Sequence, residues 1–181
     1  MANITEFKSR LSGGGARANQ FKVMLTFPDF ALTDLGGGDA MTSDLSFLCT
    51  ASTLPGQTLT ATTVKFRGRE LKLSGDARTF TDWSFDVLND TSFKIYKAFE
   101  SWMNGMNNMS NNTGFVDPDV YQSVGHIHQL DREGEPIHSF KFIGCFPVKL
   151  GDIPVDYDSD NKIESFTVDL AYQWFETERT T

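Results

Sequence analysis

Apolar and polar side chains alternate with a period of two through several stretches of the chain, the pattern of a strand with one buried face. Phe21, Val23, Leu25 and Phe27 alternate with Lys22, Met24 and Thr26 until Pro28 stops the run. A glycine-rich segment, residues 29–43, reads as a surface loop, and strand character resumes at Leu45, Phe47, Cys49 and Ala51. Trp83, Phe85 and Val87 alternate with Asp82, Ser84 and Asp86. Two further strands are expected near residues 120–130 and 137–146, joined as a hairpin across Asp131-Arg132-Glu133-Gly134-Glu135. After a connector over residues 147–161, a last strand is expected over residues 163–175. Phe166, Val168, Leu170, Tyr172 and Trp174 then face inward, and Thr167, Asp169, Ala171 and Gln173 face outward.

The period changes to that of a helix in two places. Ile95, Tyr96, Phe99, Trp102, Met103 and Met106 form the stripe of an amphipathic helix, with Asp90, Thr91 or Ser92 available to cap it. That stripe must pack on a sheet, which predicts a buried Trp102. Ile4, Phe7 and Leu11 make a shorter stripe that ends at Gly13-Gly14-Gly15 and reads as a terminal arm. Residues 104–119, rich in Asn, read as a long loop.

One hairpin lacks core material. Leu54-Pro55-Gly56 is a turn signal, residues 58–66 are threonine-rich, and Arg67-Gly68-Arg69 forms a basic tip before a return strand over residues 70–74. With only Leu71 and Leu73 on one side of the return strand, it should project from the body and find its partner on another chain. About seven or eight strands to one long helix predict a mainly β fold. The expected architecture is an antiparallel β-sandwich/barrel with one flanking α-helix and a protruding β-hairpin. Residues 1–18 form the arm and residues 19–181 a single domain.

Composition narrows the function. Of 181 residues, 39% are hydrophobic and 13% aromatic, ample for a core. Sixteen Lys and Arg against 24 Asp and Glu leave a net charge of −8, which argues against a protein that grips phosphate backbones by bulk charge. Cys49 and Cys145 have neither disulfide-framework nor zinc spacing and are expected as buried free thiols. Without a secretory h-region or an apolar run near the roughly 20 residues of a membrane span, a soluble chain with no membrane partner, folding in a reducing cytosol, is expected.

Candidate chemistry is thin. His126 and His128 share a strand face, and a hairpin centred near Glu133 would set His138 opposite His128; a one-residue slip sends it to the other face, so no metal site is expected. Asp156, Asp158 and Asp160 imitate the start of a calcium loop, but the twelfth position is Thr167 rather than a bidentate Glu. The chain carries no GxSxG, P-loop, HExxH or strand-linked GxGxxG motif, so neither catalysis nor a cofactor is expected.

The wording of four segments says more. Phe47-Leu-Cys-Thr-Ala-Ser-Thr-Leu-Pro-Gly56 comes first, then Val64-Lys-Phe-Arg-Gly-Arg-Glu-Leu-Lys-Leu-Ser-Gly-Asp76 and Arg78-Thr-Phe-Thr-Asp-Trp83 running to Val87-Leu-Asn-Asp90. Phe99-Glu-Ser-Trp102 follows on the helix, and Phe146-Pro-Val-Lys-Leu-Gly-Asp-Ile-Pro-Val-Asp-Tyr-Asp-Ser-Asp-Asn161 closes the series. In this order, from about Ala16 to Glu176, the chain resembles the tail tube proteins of contractile-tailed bacteriophages. The resemblance implies hexameric rings stacked into a hollow tube inside the sheath, through which the genome passes. It implies sheath, baseplate and tail-terminator partners, a place in the virion tail, and assembly in the host cytoplasm. A tube initiator at the baseplate or a type VI secretion tube protein is the nearest relative role. A β-sandwich carbohydrate-binding module is a rival of another class, but it would display aromatics on one exposed face, whereas here they alternate inward.

Within that frame strand parity nominates Asp82, Ser84, Asp86, Thr167 and Asp169 as a polar wall lining the lumen. The hairpin residues Lys65, Arg67, Arg69 and Glu70 are the candidates for contact between stacked rings.

Overall fold

The computed structural model describes residues 3–11, 15–33, 35, 37–158 and 162–180. Among these, nine strands and four α-helices form: α1 (Ile4–Arg10), β1 (Phe21–Leu25), α2 (Gly38–Leu48), β2 (Cys49–Ser52), β3 (Gln57–Phe66), β4 (Arg69–Phe80), β5 (Trp83–Leu88), α3 (Lys94–Met106), α4 (Pro118–Tyr121), β6 (Ser123–Leu130), β7 (Pro136–Leu150), β8 (Ser165–Ala171) and β9 (Trp174–Thr177). The main sheet runs β1-β6-β7-β8-β5-β2 with β9 added to β7, and β3 and β4 pair only with each other. Every pairing is antiparallel.

Strand β7 belongs to both halves of this sheet. Its first part pairs with β6 and with β9, its last part with β8. Between them Gly144 has φ +68°, and a Cβ there would lie 2.7 Å from the Gln173 side chain. A residue with no Cβ therefore lets the strand turn, and the two halves can face one another across a core.

That core is aromatic. Trp83 of β5 stacks on Phe142 of β7 with centroids 4.2 Å apart and planes inclined by 15°. The β6 backbone approaches so closely that a Cβ on Gly125 would sit 2.4 Å from the Trp83 ring. Trp83, Phe85 and Val87 are buried, as are Phe166, Val168 and Leu170 on β8, as alternation predicts. Helix α3 covers one flank: Trp102 is fully buried, stacks on Phe99, meets Phe27 edge-on, and its Nε1 donates to the Tyr121 carbonyl at 2.8 Å. The N-cap is Phe93, left-handed and without a capping side chain, rather than Asp90, Thr91 or Ser92; of those three, Asp90 still reaches the helix, its Oδ1 accepting from the Lys94 amide at 3.0 Å.

Several expectations need correction. Residues 29–43 are not a plain loop: a 3-10 turn spans Asp29–Leu32, and α2 runs to Leu48 through the stretch expected as strand, leaving only Cys49–Ser52 as β2. Met41, Leu45 and Leu48 carry a helical stripe; Met41 and Leu45 are buried, Thr42 donates its hydroxyl to the Leu25 carbonyl, and Asp44 pairs with Lys94 at 3.0 Å. Tertiary contacts thus outweigh the hydroxyl-rich composition. Val120 lies in α4 rather than in a strand, and β7 continues through Pro147 to Leu150. The last strand is two strands. At Tyr172-Gln173 the chain leaves β8 and joins the other half of the sheet, with the Gln173 amide donating to the Ile143 carbonyl; parity shifts, Phe175 packs on the core, and Trp174 is 48% exposed. Cys145 is buried but Cys49 only partly so, and burial above all pushes both thiols up to about 12.

In the β6/β7 register His128 faces Ser139 and His138 faces Gln129, so the expected His128–His138 pair does not form. His126 and His128 lie parallel, 6.0 Å apart, and His128 Nδ1 is 2.7 Å from the Ser139 hydroxyl. Burial above all holds both imidazoles below their ordinary value; His128 and Lys141 add to this at His126, and Lys22 at His128.

Two outcomes follow from this packing. Trp102→Ala should lower the unfolding free energy by about 3–5 kcal/mol, read as a lower urea midpoint at constant slope; a loss under about 1 kcal/mol would place the α3 contact outside the folded subunit's core. The unfolded chain protonates His126 and His128 more readily than the native one, so stability is complete above pH 6.5 and falls as pH drops below it. The variant His126→Gln/His128→Gln should lose less stability between pH 7 and pH 5 than the parent in paired denaturation curves (about 6.5 being the ordinary imidazole value); equal losses would refute this linkage.

Candidate functional site: a polar wall and a projecting hairpin

Pairing of β5 with β8 places Ser84 beside Asp169 and Asp86 beside Thr167 on the face turned away from the core. Thr167 donates its hydroxyl to Asp86 Oδ1 at 2.6 Å, which fixes one carboxylate in the plane of the wall. Hydroxyls extend the same surface across β2: Thr53 donates to the Ser84 carbonyl at 3.2 Å and Thr50 to the Asp86 carbonyl at 3.4 Å. These four central residues, Ser84, Asp86, Thr167 and Asp169, are therefore contiguous. Asp82 stands just before β5 and is exposed; beside it the Tyr172 phenol is pushed up to about 12, first by burial and then by the Asp82 and Cys145 charges.

One wall residue escaped sequence reasoning. Lys149 lies opposite Asp169 in the β7/β8 register, with Nζ 3.8 Å from Asp169 Oδ2, and it remains two-thirds exposed. A signal for it existed only in the extension of β7 past Pro147, which the connector assignment concealed. The wall thus has small hydroxyls, one carboxylate held by the Thr167 hydroxyl, and one cation beside a second carboxylate. Among the described residues no three His, Cys, Asp or Glu side chains come together as a metal would need. Asp156 accepts from the Asp158 amide as an ordinary turn, and the rest of the calcium-like run, residues 159–161, lies outside the described residues.

The hairpin is the second surface. Its tip is a two-residue turn at Arg67-Gly68, with φ +46° and +80°, closed by the Phe66 and Arg69 pair. Positive φ at both central positions suits the right-handed twist of the strands. Register separates two faces. Val64, Phe66, Leu71 and Leu73 share one with Thr62 and Arg69; Lys65, Glu70 and Lys72 share the other with Thr63. The Arg67 guanidinium lies 5.4 Å from the Phe66 ring centroid. Val64, Phe66, Leu71 and Leu73 remain 45%, 66%, 56% and 49% exposed, while at the hairpin's base Phe80 packs on Tyr172 and Phe175 with centroids 5.8 and 5.5 Å away. Of the nominated residues, Lys65 and Glu70 sit directly across from one another, Arg69 is on the apolar face, and Arg67 is in the turn.

Comparison with known proteins identifies the family. A family profile described as phage tail tube protein matches residues 16–178. The chain is 28% identical over 166 residues to tail tube protein gp19 of Enterobacteria phage T4, covering 91% of this chain and 93% of that one. It is 28% identical over 174 residues to the tail tube protein of Serratia phage KSP90, covering 95% of each. Among solved structures, a subunit of the anti-feeding prophage baseplate superposes with TM-score 0.63 at 13% identity, covering 90% of this chain and 94% of that one. A subunit of the sheath-tube complex of an extracellular contractile injection system gives TM-score 0.55 at 12% identity over 98% and 99% of the two chains. The fold is shared with these injection machines, and the chain belongs to the phage tail tube protein family as a structural component of the virion tail.

Proposed function

We propose that this tail tube protein forms hexameric rings that stack into the hollow inner tube of a contractile tail, and that the genome passes along the β5/β8 wall without being held. The observation that carries this is the pairing of an apolar core face with a continuous small, polar outer face on the same strands. A bore must stay wide and wet, which suits hydroxyls and short carboxylates better than long or apolar side chains. Six copies repeat Asp82, Asp86 and Asp169 around the bore, and low-dielectric walls focus their negative potential on it. A polyanion meets repulsion there instead of ion pairs. Lys149 fits the same role because Asp169 lies beside it.

The hairpin supplies the contact between rings: its apolar face covers a neighbouring subunit, and Lys65, Arg67, Arg69 and Glu70 set the register. Residues 1–18 act as an arm and residues 19–181 as the tube domain. The partners on this reading are further copies, the sheath, the baseplate and the terminator, with assembly in the host cytoplasm, no membrane contact and no catalytic step.

Two experiments test the assignment. Shortening the hairpin by residues 65–70 should leave the unfolding free energy of the subunit in urea within the ~0.5 kcal/mol of an ordinary surface change and abolish long tubes in electron micrographs; tubes of parental length would remove the hairpin from stacking. Asp82→Lys/Asp169→Lys, which also leaves Lys149 without its carboxylate, should preserve tubes and slow DNA ejection from virions, with the defect easing as salt rises. Ejection at the parental rate in low salt would put the wall outside the lumen.

A further inference from the structure

A second unpartnered apolar element lies far from the hairpin in sequence. In α1 no residue is buried, and Ile4, Phe7 and Leu11 stand 71%, 64% and 45% exposed. Seven residues are too few to hold a helix in water by propensity alone, so this helix needs a surface to lie on. Its stripe is flanked by Lys8 on one side and by the Glu6–Arg10 pair, 2.8 Å apart, on the other.

The body carries a groove of matching character. It has a volume of about 500 Å³ and runs between α2 and the edge strand β1, lined by Phe21, Met24, Phe47 and Leu130 with Lys22 and Asp39 among its polar residues. Phe47 is 86% exposed, although it closes a helix whose Met41 and Leu45 are fully buried. The groove thus has an apolar floor with one cation and one anion, and α1 has an apolar stripe with a cation and an anion beside it. Lys8 complements Asp39, and Glu6 complements Lys22. A sheet edge flanked by apolar side chains is also a surface that folded proteins cover.

We propose that α1 of one copy docks in the α2/β1 groove of another copy within the assembled tube, Phe7 packing on Phe47. The chain's own groove does not hold it, since α1 is unburied in the single subunit. In a ring or a stack, other copies of the groove surround every arm. Gln129 Nε2 donates to the Arg17 and Gln20 carbonyls and holds that part of the chain on the body, so residues 12–16 are the tether, with a reach of up to about 17 Å at about 3.3–3.6 Å per residue. The arm would then link subunits in parallel with the hairpin contact. This inference rests on tube assembly but not on the hairpin or the lumen assignment.

Mixed assembly tests it. Two chains of different tag length, both with Cys49→Ser, carry Phe7→Cys in one and Phe47→Cys in the other, and are assembled together and oxidised. A disulfide-linked heterodimer is expected on a non-reducing gel, absent when the same chains are mixed but kept unassembled. Tubes without the heterodimer would overturn the docking while leaving the tube itself intact. If the cysteine variants fail to assemble, parental tubes decide: trypsin should cut after Lys8 and Arg10 at least tenfold more slowly in tubes than in the free subunit, and equal rates would overturn the proposal. A chain carrying both cysteines that closes on itself within tubes, giving a fast-migrating monomer instead of a ladder, would likewise overturn it.

Discussion

Strand β7 runs for 15 residues and changes partners midway, and the turn it makes at Gly144 constrains nearly everything else in the subunit. Because the strand bends there, β6 and β9 pair with its first part and β8 with its last, and the two halves of the sheet enclose the stacked Trp83 and Phe142 rings. The close approach of Gly125 to Trp83 then leaves no room for a side chain on β6 at that point. The same bend splits the final strand, since β8 and β9 must follow different parts of β7. Core packing and strand exchange are thus two results of one backbone turn.

The apolar groups divide into two populations. Those on β1, β5, β8, α2 and α3 fill one core, with Trp102 and Phe99 sealing it from the helical side. Those on α1 and on the outer part of the hairpin lie outside it, and the hairpin meets the body at its base, where Phe80 packs on Tyr172 and Phe175. An isolated two-stranded hairpin is marginal in water, and exposed strand edges invite pairing, so a solitary subunit leaves these elements unfinished. On the reading proposed above, neighbouring subunits cover this remaining apolar area, and stability is shared between folding and assembly.

Polar groups are sorted just as sharply. No polar or charged residue among those described is buried, and on the outer face of β5 and β8 the Asp86 carboxylate accepts from the Thr167 hydroxyl. Lys149 stands beside Asp169 on this wall, so the cation has a carboxylate neighbour.

Much of this was legible in the sequence. Alternation on β5 and β8, the stripe of α3 and the scarcity of core residues in the hairpin are local patterns, and local patterns follow from the period of a strand or a helix. The polar wall was legible for the same reason: when Trp83, Phe85 and Val87 go inward, Ser84 and Asp86 must go outward. Helix α2 was concealed because glycines and hydroxyls around Met41 and Leu45 resemble a loop until β1 and Lys94 are packed against them. Trp174 was assigned inward because parity was carried through Tyr172-Gln173, where the chain changes sheets. Lys149 joined the wall only through the β7/β8 register, and His138 left His128 by a one-residue difference in the β6/β7 register. Periodicity determines which face of an element is buried; register, strand exchange and the neighbours of a marginal helix depend on contacts between residues distant in sequence, and only the tertiary structure decides those.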